Sequence, residues 1–259
     1  MSNPIVLYTD HSINRYLCYN FAKGSGSQMC HVNNFKDFSK SIATYGYLRG
    51  TGEIIHKVKN FFYMDHGYFN QSQRSFNKNR TVIDKFDGYF RVVYNDYWHN
   101  GSGSKPADRL RKMNLKFSNL NKYGNYIILS EPTSDAINYY DLKDWVNKTI
   151  KEIKKYSDRK IILHNRGSKI SLTDLFPKAW AFVSDHSSAG FKAMQSGIPA
   201  YFTNETLKHI GEIKNIEKHE INYSIFNNLA YEQWTIEEIH NGECWQYLKQ
   251  KFNEKKLNK

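Results

Sequence analysis

The sequence predicts an α/β fold with mostly parallel sheets. From Asn125 onward, short apolar runs alternate with helical segments, which is typical of βαβ units. The stretch 179–202, AWAFVSDHSSAGFKAMQSGIPAYF, shows this most clearly: an apolar strand, a polar turn, a helix, and a Gly-Ile-Pro turn into another strand. Sheets of this kind bind ligands at the carboxyl ends of their strands, so we expect function in the turns that follow the strands.

The first part of the chain contains the same two kinds of segment in a less regular order. Apolar runs predict strands over residues 5–10, 61–69 and 88–97, and helical spacing predicts helices over residues 13–23, 35–45 and 50–59. Gly24 is expected to end the first helix. The segment 99–113, HNGSGSKPADRLRKM, is rich in Gly and Ser and is expected to be mobile, or ordered only with a partner.

The second part predicts a regular series of elements. The predicted strands are 126–132, 159–168, 181–183 and 200–202. The predicted helices are 141–155, 172–176, 189–195, 234–239 and 243–252. Trp145, Thr149 and Ile153 mark the buried side of the first of these helices, and Thr235 is a predicted N-cap.

The change of pattern near residues 118–124 predicts a domain boundary there. A chain of 259 residues is long enough for one large domain or two small ones. We therefore expect three parts: an N-terminal half (1–120), a C-terminal half (121–235), and a C-terminal helix with a basic tail (236–259).

Basic residues are in excess, with 37 Lys and Arg against 25 Asp and Glu, a net charge of +12. From Arg74 to Lys122, eleven Lys and Arg stand against four Asp, and aromatic residues and glycines interrupt the run. Such a composition suits a sugar-phosphate backbone with stacked bases, although a site for an anionic small molecule is a rival interpretation. The predicted DNA-binding residues are Arg74, Lys78, Arg80, Arg91, Lys105, Arg109, Arg111 and Lys112.

Three cysteines, Cys18, Cys30 and Cys244, are scattered without a Cys-x-x-Cys pair. This spacing predicts a reducing compartment, no zinc site, and cysteines that serve as small apolar fillers. There is no run of about 18 apolar residues and no basic-then-apolar leader. We therefore expect a soluble protein that is not secreted and has no membrane partner.

Polar residues follow three strands of the second part, and their spacing predicts a diphosphate site. They are Ser130 and Glu131 after the first strand, His164, Asn165 and Arg166 after the second, and Ser184, Asp185, His186, Ser187 and Ser188 after the third. Arginine, histidine and a helix N-terminus are suited to phosphate oxygens. An ordinary βαβ crossover with serine caps and no ligand explains the same pattern. No Asp-x-Asp pair occurs, so no metal is expected in the site.

Residues 174–202 resemble the donor-side signature of GT-B glycosyltransferases: an apolar strand, Ser-Ser-Ala-Gly, a helix and Gly-Ile-Pro. A longer series resembles glycosyltransferase-like proteins of tailed phages over roughly residues 60–250. Its members are YMDHGYF (63–69), YFRVVYNDYWHNG (89–101), HNRG (164–167), HSSAGFKAMQSGIP (186–199) and QWTIEEIHNGECWQYL (233–248). Some of those phage enzymes glycosylate hydroxymethylated DNA bases.

The resemblance implies a GT-B-like fold, with two Rossmann-type halves and a cleft between them. It further implies transfer of a sugar, arabinose or glucose, from a UDP-linked donor to 5-hydroxymethylcytosine in double-stranded DNA, in the cytoplasm of the infected bacterial host. No cofactor is expected. The donor-binding residues that it implies are Glu131, His164, Arg166, Ser184, His186, Ser187, Ser188 and Lys192.

The chain departs from the family pattern at Lys192. Many GT-B transferases have a glutamate at this place in the helix, where it holds the donor ribose. A lysine cannot accept a hydrogen bond, so Lys192 is expected to contact phosphate or to point into solvent.

A transferase of this kind needs a base that deprotonates the acceptor hydroxyl. Asp65, beside His66 at the end of a predicted strand, is the first candidate, and Asp10 is the second. Asp96 and His99 are the third. Each of these aspartates is also explained as a helix cap or turn residue, and His66 and His186 are also explained as structural histidines.

Three hypotheses follow from the sequence. The first is a metal-independent glycosyltransferase acting on modified DNA, and the second is a transferase acting on cell-surface glycans. The third is a nucleic-acid-binding protein with an inactive transferase fold, which the departure at Lys192 keeps open. Binding to DNA separates the second hypothesis from the other two, and turnover of a nucleotide-sugar separates the third.

Overall fold

The computed structural model describes residues 2–71, 74–76, 82–84 and 87–257. Its strands are β1 (Ile5–Tyr8), β2 (Met29–His31), β3 (Ile42–Tyr45), β4 (Phe61–His66), β5 (Arg74–Phe76), β6 (Val82–Asp84), β7 (Phe90–Tyr94), β8 (Tyr126–Ser130), β9 (Lys160–His164), β10 (Ala179–Ser184), β11 (Ala200–Phe202) and β12 (Gln233–Trp234). Its α-helices are α1 (Ser12–Ser25), α2 (Thr51–Ile55), α3 (Asp108–Lys112), α4 (Ser134–Tyr139), α5 (Trp145–Ile153), α6 (Leu172–Leu175), α7 (Ala189–Gln195), α8 (Ser224–Ala230), α9 (Ile236–His240) and α10 (Glu243–Leu257).

The chain folds into two compact units. Unit 1 comprises Met1–Tyr97 and Tyr231–Lys259, and unit 2 comprises Trp98–Ala230. The sequence prediction put boundaries near residues 118–124 and after residue 235, whereas the chain passes between the units after Tyr97 and again after Ala230. The C-terminal helices α9 and α10 therefore fold with the first part of the chain.

Unit 1 is built on a six-stranded sheet in the order β12-β7-β4-β3-β1-β2. The strands β1 to β4 are parallel, and β7 is antiparallel to both β4 and β12. Alternate residues face opposite sides: Val6 joins a core with Phe21 of α1 and Trp245 of α10, whereas Leu7 joins a second core with Tyr63. The sheet is thus buried on both faces, as parallel strands usually are.

The prediction of a helix over residues 35–45 was wrong, because the last four of these residues form the strand β3. β3 pairs with β1 on one side and β4 on the other, and Ile42, Ala43 and Thr44 are fully buried. A short apolar run that is buried on both faces has no two-fold alternation. Periodicity therefore does not distinguish such a strand from a buried helical turn.

The first helix does not stop at Gly24. α1 continues to Ser25, and Gly26, with a φ of 64°, forms its C-cap. A Cβ atom at Gly24 would lie 1.9 Å from the carbonyl oxygen of Ile239. Gly24 therefore lets α1 approach α9 closely, which is a tertiary requirement rather than a stop signal.

The helix expected over residues 234–239 begins later than the sequence predicts. Trp234 belongs to the short strand β12, and α9 starts at Ile236. Thr235 caps α9, as predicted: its hydroxyl accepts from the N–H of Glu238 at 3.2 Å, and the Glu238 carboxylate accepts from the Thr235 N–H at 2.7 Å. This is a complete capping box.

Unit 2 is built on a parallel four-stranded sheet in the order β11-β10-β8-β9. Ile127, Leu129, Ala181 and Val183 pack on one face with α5. The buried side of α5 is Trp145, Thr149 and Ile153, as predicted from the sequence. The α/β class with mostly parallel sheets is confirmed in both units.

The Gly- and Ser-rich segment that follows His99 is tied down by one side chain of α8. The Asn228 amide donates to the carbonyls of Gly101 at 2.6 Å and Gly103 at 2.9 Å, and its oxygen accepts from the N–H of Lys105 at 2.9 Å. Asn228 is itself buried. The expectation that this segment needs a partner to become ordered was wrong, because a long-range amide supplies three hydrogen bonds to it.

A cation, an indole and an imidazole are stacked in unit 2. The guanidinium of Arg159 and the ring of His219 each lie 3.6 Å from the Trp180 ring, so they must occupy opposite faces. Nε2 of His219 donates to the Asn121 carbonyl at 2.6 Å, and its Nδ1 is buried without a hydrogen-bond partner in the described residues. Burial lowers the pKa of His219, and the nearby Arg159 charge acts in the same direction.

The cysteines form no disulfide with one another. Cys18 and Cys244 are buried in the first core of unit 1, and Cys30 is half-buried. Burial raises the pKa of the Cys18 thiol to about 12, so it stays protonated at neutral pH. Across the described residues, no helix has the length and apolar character needed to span a membrane.

Candidate active site

The carboxyl ends of the four strands of unit 2 lie side by side. Ser130 of β8 is in register with His164 of β9 and Ser184 of β10, and Ser184 is in register with Phe202 of β11. Since the strands are parallel, the turns that follow them leave the sheet at one edge. The structure therefore brings the three predicted polar turns together, with the β8 turn in the middle.

The turns after β8 and β9 are joined by hydrogen bonds. The carboxylate of Glu131 accepts from the Asn165 amide at 3.1 Å, and the Glu131 N–H donates to the His164 carbonyl at 2.9 Å. Nε2 of His164 donates to the Ile170 carbonyl at 3.2 Å, so that nitrogen is engaged within the protein. Arg166 is exposed and has no ion-pair partner among the described residues. Of this group, Arg166 is the residue free to meet an anion.

The serines of the β10 turn differ in how they are used. Ser184 is buried, and its hydroxyl accepts from the Ser187 N–H at 3.3 Å. The Ser187 hydroxyl accepts from the N–H of Ala189 at 3.2 Å. Ser188 stands at the N-cap of α7 but makes no capping hydrogen bond with its side chain. The Ser188 hydroxyl is thus available to a ligand, whereas Ser184 and Ser187 hold the turn in shape.

Lys192 lies on the exposed side of α7, opposite the residues that pack into unit 2. Gly190, Phe191, Ala193 and Met194 are buried, and Lys192 has no ion pair within the described ranges. Its ammonium group is therefore solvated. The exposed position of Lys192 is consistent with both expectations for this residue, a contact with phosphate or a side chain in solvent.

Asp185 belongs to the third predicted polar turn, but the sequence analysis gave it no binding or catalytic role. It is only 5% exposed, yet it is a carboxylate, so its charge requires partners. One oxygen accepts from the Thr203 hydroxyl at 2.6 Å, and the other is hydrogen-bonded to Nδ1 of His186. Thr203 in turn accepts from the indole N–H of Trp145 at 2.7 Å. The signal available in the sequence was an aspartate directly after the end of a mainly apolar strand and directly before a histidine.

Two aromatic rings flank the His186 imidazole. The Tyr140 ring lies 4.6 Å away in an edge-on arrangement, and the Trp98 ring lies 5.9 Å away. Trp98 is buried and packs in turn on Phe191. These contacts and the bond to Asp185 restrict the imidazole to one orientation.

In unit 1, Asp65 is the penultimate residue of β4 and its carboxylate has three donors. They are the Tyr63 hydroxyl at 2.9 Å, the Arg91 guanidinium at 3.1 Å and the N–H of His66 at 2.7 Å. Arg91 also donates to the carbonyls of His66 and Tyr97. The Asp65 side chain is 28% exposed, so it is held firmly and remains accessible.

The other candidate bases of unit 1 are placed differently. Asp10 is 90% exposed, with its carboxylate 3.6 Å from Nε2 of His31. It lines a cavity of about 450 Å³ with Thr9, His11, His31 and Asn33, among others. The His66 ring stacks on Phe90 at 5.8 Å, and Asp96 accepts from the N–H of Tyr97.

The predicted DNA-binding residues fall into three groups. Lys78 and Arg80 lie outside the described residues, and Arg74 is in β5. Arg91 is only 3% exposed and its guanidinium is bonded to Asp65, so it cannot meet a DNA phosphate from this position. In unit 2, Lys105, Arg111 and Lys112 are exposed and Arg109 is half-buried, with its Nε bonded to the Ala230 carbonyl at 2.6 Å.

No protein-family model matches the sequence, and no curated protein matches it significantly. Among solved structures, the chain is similar to the beta Kdo 2,4 transferase of Thermosulfurimonas dismutans KpsC. The TM-score is 0.50 at 10% identity, over 89% of this chain and 90% of that chain. The beta Kdo 2,7 transferase of the same KpsC gives a TM-score of 0.49 at 10% identity, over 94% and 99% of the two chains. The first likeness shows that this chain has a fold that a glycosyltransferase also has.

Proposed function

We propose that this protein is a glycosyltransferase whose unit 2 binds a nucleotide-sugar. The observation that carries the proposal is the convergence of three polar turns at the carboxyl edge of the unit 2 sheet. Arg166, Ser188 and Lys192 there are accessible and unengaged among the described residues, while Ser184, Ser187 and Glu131 shape the turns. The fold shared with the KpsC transferase supports the same activity.

In this proposal the leaving diphosphate is stabilised by fixed positive groups and hydroxyls. The acceptor oxygen attacks the anomeric carbon, and the electron pair of the breaking carbon–oxygen bond goes to the phosphate. Arg166 and Lys192 then face the developing charge, and Ser188 donates to a phosphate oxygen. UDP is the nucleotide that we propose to test first.

Unit 1 supplies the base in this proposal, while unit 2 carries both the donor turns and the basic residues on and beyond α3. Asp65 accepts the proton of the acceptor hydroxyl. Arg91 acts as its positioning residue, because the guanidinium is buried and holds the carboxylate in one place. Asp10, with His66, is the alternative base on the same side.

The acceptor that we propose is a hydroxymethylated base in phage DNA. Arg111, Lys112 and Lys116 are exposed on α3 and just beyond it, and no carboxylate pairs with them in the part of the chain that the structure describes. Unpaired basic side chains of this kind bind nucleic acid by releasing counterions. A glycan acceptor is the second candidate, since the similar KpsC structure is a beta Kdo 2,4 transferase.

The decisive experiment is mass analysis of nucleosides after incubation of hydroxymethylcytosine DNA with the protein and a panel of nucleotide-sugars. We expect one donor to add the mass of one sugar to hydroxymethylcytosine. If an oligosaccharide acceptor gains mass while DNA does not, the acceptor is a glycan. If no donor is consumed with any acceptor, the transferase proposal fails, and the inactive DNA-binding alternative takes its place provided that the protein binds DNA.

Matched variants test the donor site and the DNA surface separately. Arg166→Ala should weaken donor binding about tenfold, as expected for one charge-assisted contact, whereas Lys169→Ala, an equal charge change on an exposed residue nearby, should not. The pair Arg111→Glu and Lys112→Glu should reduce retention on DNA–cellulose, with Lys151→Glu and Lys160→Glu as the control of equal charge. Equal losses in variant and control would contradict the assigned site.

A further inference from the structure

The hydrogen-bond chain that ends at His186 has a fixed direction. The Trp145 indole can only donate, so Thr203 accepts from it and uses its own proton toward Asp185. The ionised carboxylate of Asp185 only accepts, and it therefore takes the Nδ1 proton of His186. The neutral imidazole is thus held with its proton on Nδ1 and its lone pair on Nε2.

Nε2 of His186 is directed away from the buried carboxylate. In the imidazole ring, Cε1 separates Nε2 from Nδ1. Nε2 has no hydrogen-bond partner among the described residues. The side chain is 15% exposed, in the turn that also carries Ser187 and Ser188. When the ring takes up a second proton, that proton is carried by Nε2 and can be given to a ligand in this turn.

The free-energy cost of burying Asp185 also indicates that this hydrogen-bond chain has a function. The Asp185 carboxylate is about 95% buried and therefore loses most of its hydration. Well-packed apolar residues at a buried position usually stabilise a protein as much as a buried ion pair does, or more. Asp185 directly follows β10, and the pairing of β10 with its neighbours ends at Ser184, so the sheet itself does not require a charge there. A buried acid that orients a histidine is instead a common way to fix a tautomer and to stabilise the imidazolium.

We propose that Nε2 of protonated His186 donates a charge-assisted hydrogen bond to a phosphate oxygen of the bound donor, and that Asp185 is the positioning residue that makes this possible. The inference rests on the proposed function for the identity of the ligand, a sugar diphosphate. No covalent bond forms to His186. The imidazolium offsets the negative charge that the phosphate gains when the sugar leaves.

The charged and titratable groups in contact with the His186 ring are few. Asp185 bonds to Nδ1, and the phenol-bearing ring of Tyr140 packs edge-on against the imidazole. Trp98, the other ring that contacts the imidazole within the described residues, does not titrate.

The test uses the full chain labelled with ¹⁵N-histidine and inorganic pyrophosphate as the probe. Long-range ¹H–¹⁵N spectra should show the neutral His186 with its proton on Nδ1. Adding pyrophosphate at neutral pH should raise the protonated fraction and move the Nε2 resonance. A neutral form with the proton on Nε2, or an Nε2 resonance that does not respond to pyrophosphate, overturns the inference.

The variant Asp185→Asn gives a test with an informative sign. Removing a negative charge should strengthen the binding of an anion if only the overall field matters. We expect the opposite, pyrophosphate affinity reduced about fivefold, because the asparagine amide can donate to Nδ1 and no longer fixes the tautomer. Asp174→Asn, which removes the same charge from an exposed residue of unit 2, should leave the affinity unchanged or slightly higher. Unchanged or stronger binding by Asp185→Asn overturns the inference.

His186→Gln serves as the second variant, because the glutamine amide can still donate to the buried Asp185 carboxylate but cannot take up a proton. We expect pyrophosphate affinity to fall about tenfold and kcat to fall more than the KM for the nucleotide-sugar rises. Affinity equal to that of the wild-type chain would overturn the inference. These binding and NMR readouts need no turnover: a responsive His186 without any transferase activity refutes the proposed function alone, and active enzyme with a silent His186 refutes the inference alone.

Discussion

Two aspartates stand at strand ends in the two units, and they have different partners. Asp65 in unit 1 is paired with Arg91, a guanidinium that stays charged at every pH at which the protein is folded. Asp185 in unit 2 is paired with His186, an imidazole that is neutral or charged according to whether one or both of its nitrogens carry a proton. Asp65 is partly exposed and Asp185 is buried. The first arrangement holds a carboxylate in place, and the second uses a carboxylate to hold a proton carrier in place.

The largest effect that we expect concerns the reacting group of unit 1. Asp65→Asn should reduce turnover about 100-fold or more, which is what a lost general base costs, and should leave donor binding unchanged because the donor site that we propose is in unit 2. The measurement is initial-rate kinetics together with calorimetric titration of the donor. If this variant keeps near-full activity, Asp65 is not the base, and Asp10→Asn is the next variant to examine.

Breaking the fixed pair of unit 1 should be the largest effect on stability. Arg91→Met removes the buried guanidinium, which takes one of its three donors from Asp65 and removes the Arg91 hydrogen bonds to the carbonyls of His66 and Tyr97. We expect a loss of about 3 kcal/mol in the free energy of unfolding, measured with urea. Lys155→Met, which breaks the exposed pair with Glu152, is the control and should cost less than about 1 kcal/mol. Equal costs would show that burial of Arg91 is not what matters.

The corresponding change in unit 2 should be smaller, because it removes a hydroxyl rather than a charge. Thr203→Val leaves the Trp145 indole N–H and one oxygen of Asp185 unpaired. We expect a cost of about 2 kcal/mol in the free energy of unfolding. Thr173→Val, at an exposed hydroxyl of the same unit, is the matched control. A neutral Thr203→Val would mean that the chain leading to His186 is not maintained in solution.

A pH series distinguishes the two units further. Because burial lowers the pKa of His219, the unfolded chain binds a proton near pH 6.5 while folded unit 2 binds it only at lower pH. The unfolded state therefore holds more protons in that window, and the stability contributed by His219 is complete above about pH 6.5 and is lost as the pH falls through the lower folded value. Asparagine tolerates the left-handed φ of 54° at this position. His219→Asn should therefore reduce the change in the urea midpoint with pH in that window. A profile unchanged by the substitution would contradict the assignment to His219.

The smallest effect that we expect is at the C-terminal return of the chain to unit 1. Thr235→Ala removes the capping hydroxyl of α9 and should cost about 1 kcal/mol in the free energy of unfolding. It touches neither Asp65 nor Asp185, so donor binding and the His186 spectrum should stay as in the wild-type chain. A change in either would mean that global stability, and not local contact, governs those readouts.

Much of the fold was accessible from sequence wherever an element has its own local signal. α7 and β11 have the predicted bounds, and the buried side of α5 was read correctly from its spacing. β3 was mistaken for part of a helix because both of its faces are covered by neighbouring structure. Gly24 was mistaken for a stop because the reason for a glycine there is the Ile239 carbonyl, which lies far away in the sequence.

The residues of the candidate site also divide into those that the sequence predicted and those that only the structure revealed. The three polar turns of unit 2 could be named from the sequence, because strand ends and their following residues are adjacent in the chain. Asp185 was passed over, because the partners that give it meaning, Thr203 and Trp145, come from other elements. Arg91 was assigned to a DNA surface on its charge, and only its burial beside Asp65 showed a different role.

The sequence by itself determined the α/β class, the order of most elements and the polar turns, because these follow from local periodicity and turn chemistry. Tertiary structure decided which charges are buried, which strand ends are neighbours and which partner each carboxylate has. Those properties depend on contacts between segments far apart in the chain. The role of an ionisable side chain is set by such contacts, since burial and a neighbouring charge decide whether it holds a proton, donates one, or serves only to keep another group in place.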